Sequence, residues 1–297
     1  MTIYTQISRN KIRSFLLIFL FIGILSFVFY LIGKTFGDPT LYFIIGFLFS
    51  VVSGIGSYFY SDKLVLFTTG AKPAIKKKYF DFYTVAENIS IAVGLPMPKL
   101  YVVDDSSPNA FATGRNPNHA VVAATTGLLE KLDRAELEGV IAHEFAHVKN
   151  YDILLSSVVA VLVGTIVFAV DWVMRSWWWG GFRDEDRRGI NPILLIFLVA
   201  TLIIAPIAAT LIQLAVSRKR ELLADATGAL VTRNPDALAD ALYKISADPR
   251  PLQRASGSTA HLFIVNPFKK KAVSAWFVSL FSTHPPIEER IRVLREM

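Results

Sequence analysis

Hydrophobic positions in this chain gather into long uncharged runs, unlike the period-2 alternation or 3.6-residue stripes of soluble elements. The first, residues 14–33, reads SFLLIFLFIGILSFVFYLIG, and its 20 residues would reach about 30 Å as a helix, one hydrocarbon thickness. A second run, residues 40–61, begins after only six more residues. A secretory signal has a shorter apolar core and leads to a cleavage site rather than to another apolar run, so the pair predicts a transmembrane helical hairpin. Residues 153–170 and 190–217 form the third and fourth runs. The fourth, at 28 residues, has room for a turn at each end, whereas the third, 18 residues ending before Asp171, also suits a buried core helix. The expected organisation is a transmembrane hairpin over residues 1–61, a polar segment over 62–152, a second hairpin over 153–217 and a second polar segment over 218–297. The polar segments together make roughly 170 residues, enough for one domain with a sizeable core, so they are expected to meet in space.

Charge adds a direction. Arg9, Lys11 and Arg13 precede the first run, Lys63, Lys72, Lys76, Lys77 and Lys78 follow the second, and Arg218, Lys219 and Arg220 follow the fourth. With four spans these clusters share one side, which the positive-inside rule assigns to the cytoplasm together with both termini. The loop over residues 175–191 dissents with Arg175, Arg183, Arg187 and Arg188, while Trp172 and Trp177, Trp178 and Trp179 fit an interfacial belt there. Composition agrees with a membrane chain: 53% of residues are AVILMFWYC, 19% are DEKR, and mean hydropathy is +0.45, too apolar for an ordinary soluble enzyme. The net charge of +7 sits beside spans with no aromatic-basic recognition motif, so no nucleic-acid partner is expected. With no Cys, a disulfide framework, a Cys-ligated metal site and a thiol nucleophile all fall away, and any metal must sit on His, Glu or Asp.

Around His143 the chain reads LDRAELEGVIAHEFAHVKN, which predicts a helix with Asp133 as N-cap and Glu136 completing a capping box. His143 and His147 are four apart and stack on one face, where they can hold one Zn²⁺, and Glu144 can reach a water there as general base. Chance gives H-E-x-x-H in roughly one such chain in several hundred, so the context matters. Val140, Ile141, Phe145 and Ala146 supply burial, and a histidine pair buried without a metal would be costly. A catalytic zinc needs a third protein ligand and an open position. The remaining candidates are His119, His261 and His284, and the carboxylates of SRKRELLADATGAL. In that stretch Glu221 and Asp225 are four apart, one able to ligate and one to hydrogen-bond a ligating imidazole. Ordinarily such a pair marks a solvated helix face. Here its helix starts directly after an apolar run, as the HEFAH helix ends shortly before one, so the two can emerge from the membrane side by side; Glu221 is the expected third ligand.

Two leading spans, HEFAH, two further spans, S-R-x-R-E-x-x-A-D over residues 217–225 and STHPP over residues 282–286 resemble the HtpX-type membrane metallopeptidases, gluzincins related to the zinc CAAX prenyl endopeptidases, along nearly the whole chain. The resemblance implies an α-helical membrane protein with an α+β zincin-like cytoplasmic metallopeptidase domain. It implies Zn²⁺ on His143, His147 and Glu221, Glu144 as base, and Asp225 supporting a ligating His. It also likens NAFATG, residues 109–114, to an edge strand on which Asn109, Ala110, Phe111 and Ala112 would pair with extended substrate, although a polar turn entering an ordinary strand reads equally well.

The expected activity is therefore zinc-dependent hydrolysis of peptide bonds by a multi-pass plasma-membrane protein facing the cytoplasm, with polypeptides, in particular damaged membrane proteins, as substrates and the lipid bilayer as a further partner. A donor to the carbonyl oxygen as it gains charge is also needed, and His284, stiffened by Pro285 and Pro286, is the candidate, with a helix-capping loop residue as its ordinary alternative. An intramembrane protease is a second enzymatic reading, which Lys149, Asn150 and Asp152 at the junction with the third run disfavour. A non-enzymatic membrane scaffold or chaperone-like binding protein is the reading from another class, and a lost ligand or base would have signalled it; none is lost.

Overall fold

The computed structural model describes residues 3–178, 218–267 and 286–297. The first two apolar runs are the middles of long helices α1 (Ile3–Phe36) and α2 (Pro39–Thr69). Three residues make the turn between them: Gly37 takes a φ of 94°, Asp38 caps α2 by accepting from the Leu41 amide at 2.9 Å, and Pro39 fills a first-turn position that needs no amide. The helices meet through small side chains on α2, Gly46, Ser50, Gly54 and Ser57, which let the backbones approach where lipid removes the hydrophobic drive for association. Leu16, Phe19, Leu48 and Val52 point outward. Among the described residues, α1 and α2 are the helices long and apolar enough to cross a membrane singly.

A small mixed sheet follows. Strands β1 (Lys72–Pro73), β2 (Lys99–Val103), β3 (Ala110–Gly114) and β4 (Ala120–Thr125) lie in the order β1-β2-β4-β3, with β2 parallel to β4 and the other pairs antiparallel. Every residue of β3 and β4 is buried because both faces of the sheet are covered, which explains why these strands show no polar alternation. Leu100, Val102, Ala112, Val122 and Ala124 face a core shared with Phe82 of α3 (Phe80–Val93) and Val140, Ile141 and Phe145 of α5 (Arg134–Lys149), which follows the short α4 (Thr126–Lys131). The intervening residues Val103, Phe111 and Ala123 face the other way, onto Val65 of α2, Ala160 of α6 (Asp152–Trp178) and Phe263. Helices α7 (Arg218–Thr232) and α8 (Pro235–Ala247) pack on α5, and α9 (Ile287–Arg295) packs on both.

Helices α5 and α6 meet at 83°. The corner between them is made by Asn150 and Tyr151, the latter at a left-handed φ of 59°. The third apolar run therefore begins inside protein: Ile153, Leu154, Leu155, Val158 and Val159 are at most 2% exposed, and Phe168, further along, is open. Of the two readings the sequence allows for this run, the core helix describes its first turns. The fourth run, residues 179–191 of the Trp-rich loop, and His284 lie outside the described residues.

Candidate metal centre

Helix α5 starts at the expected box: the Glu136 amide donates to Asp133 Oδ1 and the Asp133 amide to Glu136 Oε2, both at 2.9 Å. Gly139, His143 and His147 then follow one another up a single stripe. Helix α7 lies against that stripe with Gly228 facing it, where a Cβ would come within 3.2 Å of the His143 amide nitrogen. That contact sets the register, and Asp225 and Glu221, one and two turns back along α7, fall level with the histidines.

The two Nε2 atoms stand 3.2 Å apart. Glu221 brings Oε2 to 3.8 Å from His143 Nε2 and Oε1 to 3.6 Å from His147 Nε2, and one donor atom from each residue lies within 4.8 Å of the others. A tetrahedral ion with bonds of about 2.0–2.1 Å keeps its ligands about 3.3 Å apart, so this donor set is close to the size such an ion needs. Charge points the same way. Glu144, Asp152, Glu221 and Asp225 are all buried, and the guanidiniums among them are Arg220 and Arg290. Carboxylates thus outnumber guanidiniums here among the described residues, an imbalance that a divalent cation would offset.

Each imidazole is held from behind by a carboxylate. His143 Nδ1 lies 2.8 Å from Asp225 Oδ1, and His147 Nδ1 lies 3.1 Å from Asp152 Oδ2. A proton on each Nδ1 leaves the Nε2 lone pairs facing one another across the site. Asp225 is in turn gripped by Arg290, which donates from Nε at 2.7 Å and Nη2 at 2.6 Å, while Nη1 donates to the Ile264 carbonyl at 3.0 Å. Burial alone would raise the Asp225 carboxyl; the Arg290 charge and bonds outweigh it and bring the pKa down to about 2. Asp152 Oδ1 accepts from Asn10 at 2.8 Å and Arg220 at 3.3 Å. Asp152, Arg290 and Asn10 escape a reading of the sequence. Asp152 is five residues past His147 across a corner, so helical spacing does not join them; the one available signal was a carboxylate heading an apolar run. Arg290 resembles any cation of an amphipathic terminal helix.

Glu144 lines the same cavity, and burial pushes its carboxyl up to about 7, against the pull of His147 and a hydrogen bond from the Ala112 amide. A group near neutrality is suited to taking and returning a proton, and a cation beside it would favour the ionised form. The cavity holds about 30 Å³, room for one or two waters. Of the other histidines, His119 is exposed and bonded to Asn116, whereas His261, in the turn Ala260–Leu262, lines the cavity with Nε2 at 3.0 Å from the Ser156 carbonyl.

Strand β3 does lie at the edge of the sheet. Its four singled-out residues are used differently. Ala112 lines the cavity, the Ala110 carbonyl accepts from the Ile264 amide at 3.1 Å, and Asn109 Nδ2 donates to the Val265 carbonyl at 2.9 Å. Phe111 turns to the opposite face and meets Phe263 edge-on at 5.1 Å. The chain's own residues 264 and 265 thus occupy the first part of that edge.

Comparison with known proteins adds the context. The profile of peptidase family M48 matches residues 81–297. The chain is 49% identical to a "Protease HtpX homolog" of Tropheryma whipplei over 294 residues, 99% of this chain and 98% of that protein. It is 44% identical to a protein of the same name from Dictyoglomus turgidum, covering 100% and 95%. Among solved structures, S. mikatae Ste24p is 21% identical with a TM-score of 0.48, covering 98% of this chain and 67% of that one.

Proposed function

This chain belongs to peptidase family M48, and from that premise we propose that it is a membrane-anchored zinc-dependent endopeptidase that works at the cytoplasmic border of the plasma membrane in quality control of misfolded or damaged membrane proteins. The observation that carries the reading is the convergence of His143, His147 and Glu221 beside Glu144. His143 Nε2, His147 Nε2 and the Glu221 carboxylate would hold the ion. When bound, it supplies Lewis acidity toward a water and toward the peptide carbonyl. Glu144 takes the proton from the attacking water and hands it to the departing amine nitrogen. Asp225 and Asp152 keep the imidazoles aimed. His284 is the assigned donor to the carbonyl oxygen as it gains charge.

Extended substrate would lie along β3 with its scissile bond near Ala112, reading backbone more than side chains, which suits broad specificity. For that pairing to extend past Ala110, residues 264 and 265 have to leave the strand. Orientation is supported by the place of the site, next to Asn10 and hence to the cluster of Arg9, Lys11 and Arg13 that the positive-inside rule puts in the cytoplasm. The test is metal analysis of the purified full chain together with casein cleavage with and without a chelator. About one zinc per chain, chelator-sensitive cleavage, and an E144Q variant that keeps zinc but loses cleavage are the expected results; a metal-free wild type, or an active E144Q variant, overturns the reading.

A further inference from the structure

Asn10 is an asparagine in the first membrane helix with 3% of its surface exposed. Burying a primary amide at the edge of an apolar span is costly unless both of its hydrogens are used. Both are. Nδ2 donates to Asp152 Oδ1 at 2.8 Å and to the Asn150 carbonyl at 3.0 Å, across sequence separations of 142 and 140. One side chain thus joins the residue that caps the end of α5 to the first residue of α6. Lys11, its neighbour, places its ammonium 4.3 Å from the centre of the Tyr151 ring, the residue whose left-handed backbone makes the corner. The cytoplasmic end of α1 therefore touches both residues of that corner and Asp152 just after it.

The corner matters because Asp152 faces two ways. Its Oδ2 meets His147 Nδ1 at 3.1 Å, and its Oδ1 accepts from Asn10. A carboxylate free to rotate about its last torsion would present either oxygen, or neither, to the imidazole. Arg220 also reaches Oδ1, at 3.3 Å, from α7, and among the described residues His147, Asn10 and Arg220 face this carboxylate. The shorter contact is the one from the membrane helix.

We infer that Asn10 is a positioning residue of the metal centre: by fixing the Asp152 carboxylate it sets the His147 ring, so that the first membrane helix is part of the site it anchors. The inference rests on the zinc reading above. It implies that loosening the cytoplasmic end of α1 loosens the ion, while polar contacts elsewhere on the same helix are indifferent to it.

The test uses the full chain in detergent micelles, loaded with zinc or with cobalt. N10A should release zinc to a chelator about tenfold faster than wild type, the lower end of what losing an outer hydrogen-bond partner of a ligating His does, and should shift the cobalt absorption bands that report ligand geometry. Its kcat on casein should fall while KM stays. S26A, which removes a hydroxyl of α1 bonded to the Ile22 carbonyl far from the corner, should match wild type in all three. In a D152N background N10A should add less than twofold, since the two act through one bond. If N10A does not fold, N10S, which keeps one donor, takes its place, with a smaller change of the same kind expected. Wild-type release and spectra in the folded variant, or full additivity with D152N, overturn the inference. A wild type that binds no zinc overturns the metal reading instead, so the two failures are distinct.

Discussion

His143 and His147 are one helical turn apart and supported by the same device, a buried carboxylate on Nδ1, yet the supports come from different parts of the molecule. Behind His143 stand Asp225 on α7 and Arg290 on α9, both from the second polar segment. Behind His147 stand Asp152 at the head of α6 and Asn10 on α1, the latter on a helix long and apolar enough to cross a membrane. Arg290 is 0% exposed and makes a two-pronged bond, so the His143 side is closed and rigidly partnered. On the His147 side a neutral amide and an arginine at a longer distance share the same task. A site assembled this way draws on α1 as well as on the helices packed around the sheet.

The His143 side depends most on Arg290. R290A leaves Asp225 buried without its partner and should cost about 3–5 kcal/mol, seen as a large drop in melting temperature of the purified protein. A melt within a degree or two of wild type would show that the His143 side is not built around that ion pair. Removing the ion comes next. Chelation should leave the excess buried negative charge uncompensated and lower the melt by an amount equivalent to about 4 kcal/mol at free zinc a thousandfold above Kd, with recovery on adding zinc back. A melt unmoved by chelator would break the charge argument on both sides at once.

D225N and D152N sharpen the contrast. Each should weaken zinc by about 10–100-fold in a competition titration. D225N should also lower the melt, because it strands the fully buried Arg290, while D152N should do so less, because the Arg220 side chain keeps 10% of its exposure. Equal melts for the two would erase the difference between the sides. The smallest effect is expected from a carboxylate of similar chemistry away from the metal. The Asp248 carboxyl is held below its usual range, first by its bonds to Arg250, against its own burial, and then by Lys131. A depressed pKa gives stability that is present above the unfolded value of about 3.9 and lost as pH falls through the folded one. D248N should therefore melt lower than wild type by about 1 kcal/mol between pH 5 and 7, with the gap closing below about pH 4 and zinc making no difference. A gap that widens in acid would contradict that sign.

Much of the candidate site is legible in the sequence. HEFAH and its capping box rest on helical spacing, and the structure returns the box with both bonds at 2.9 Å. The E-x-x-x-D pair needed one extra inference, that two helices flanking a membrane hairpin would lie together, and the contact at Gly228 is how they do. Residues 109–114 were legible as an edge strand through resemblance, but not that Phe111 would turn from the cavity or that residues 264 and 265 would sit on the strand. The third apolar run illustrates the limit: hydropathy cannot tell lipid from protein as the apolar surroundings, and the first turns of α6 are wrapped by protein.

Local order along the chain suffices for the apolar helices, their caps and the spacing of the ligands on each helix, because those depend on residues within about four positions of each other. Which carboxylate backs which imidazole depends on chain segments that approach one another across 65 residues for Arg290 and Asp225 and 142 for Asn10 and Asp152. Such contacts have no period to read. They exist because helices already shaped by their own sequences pack in one register that brings buried polar groups together, and that register is a property of the folded molecule alone.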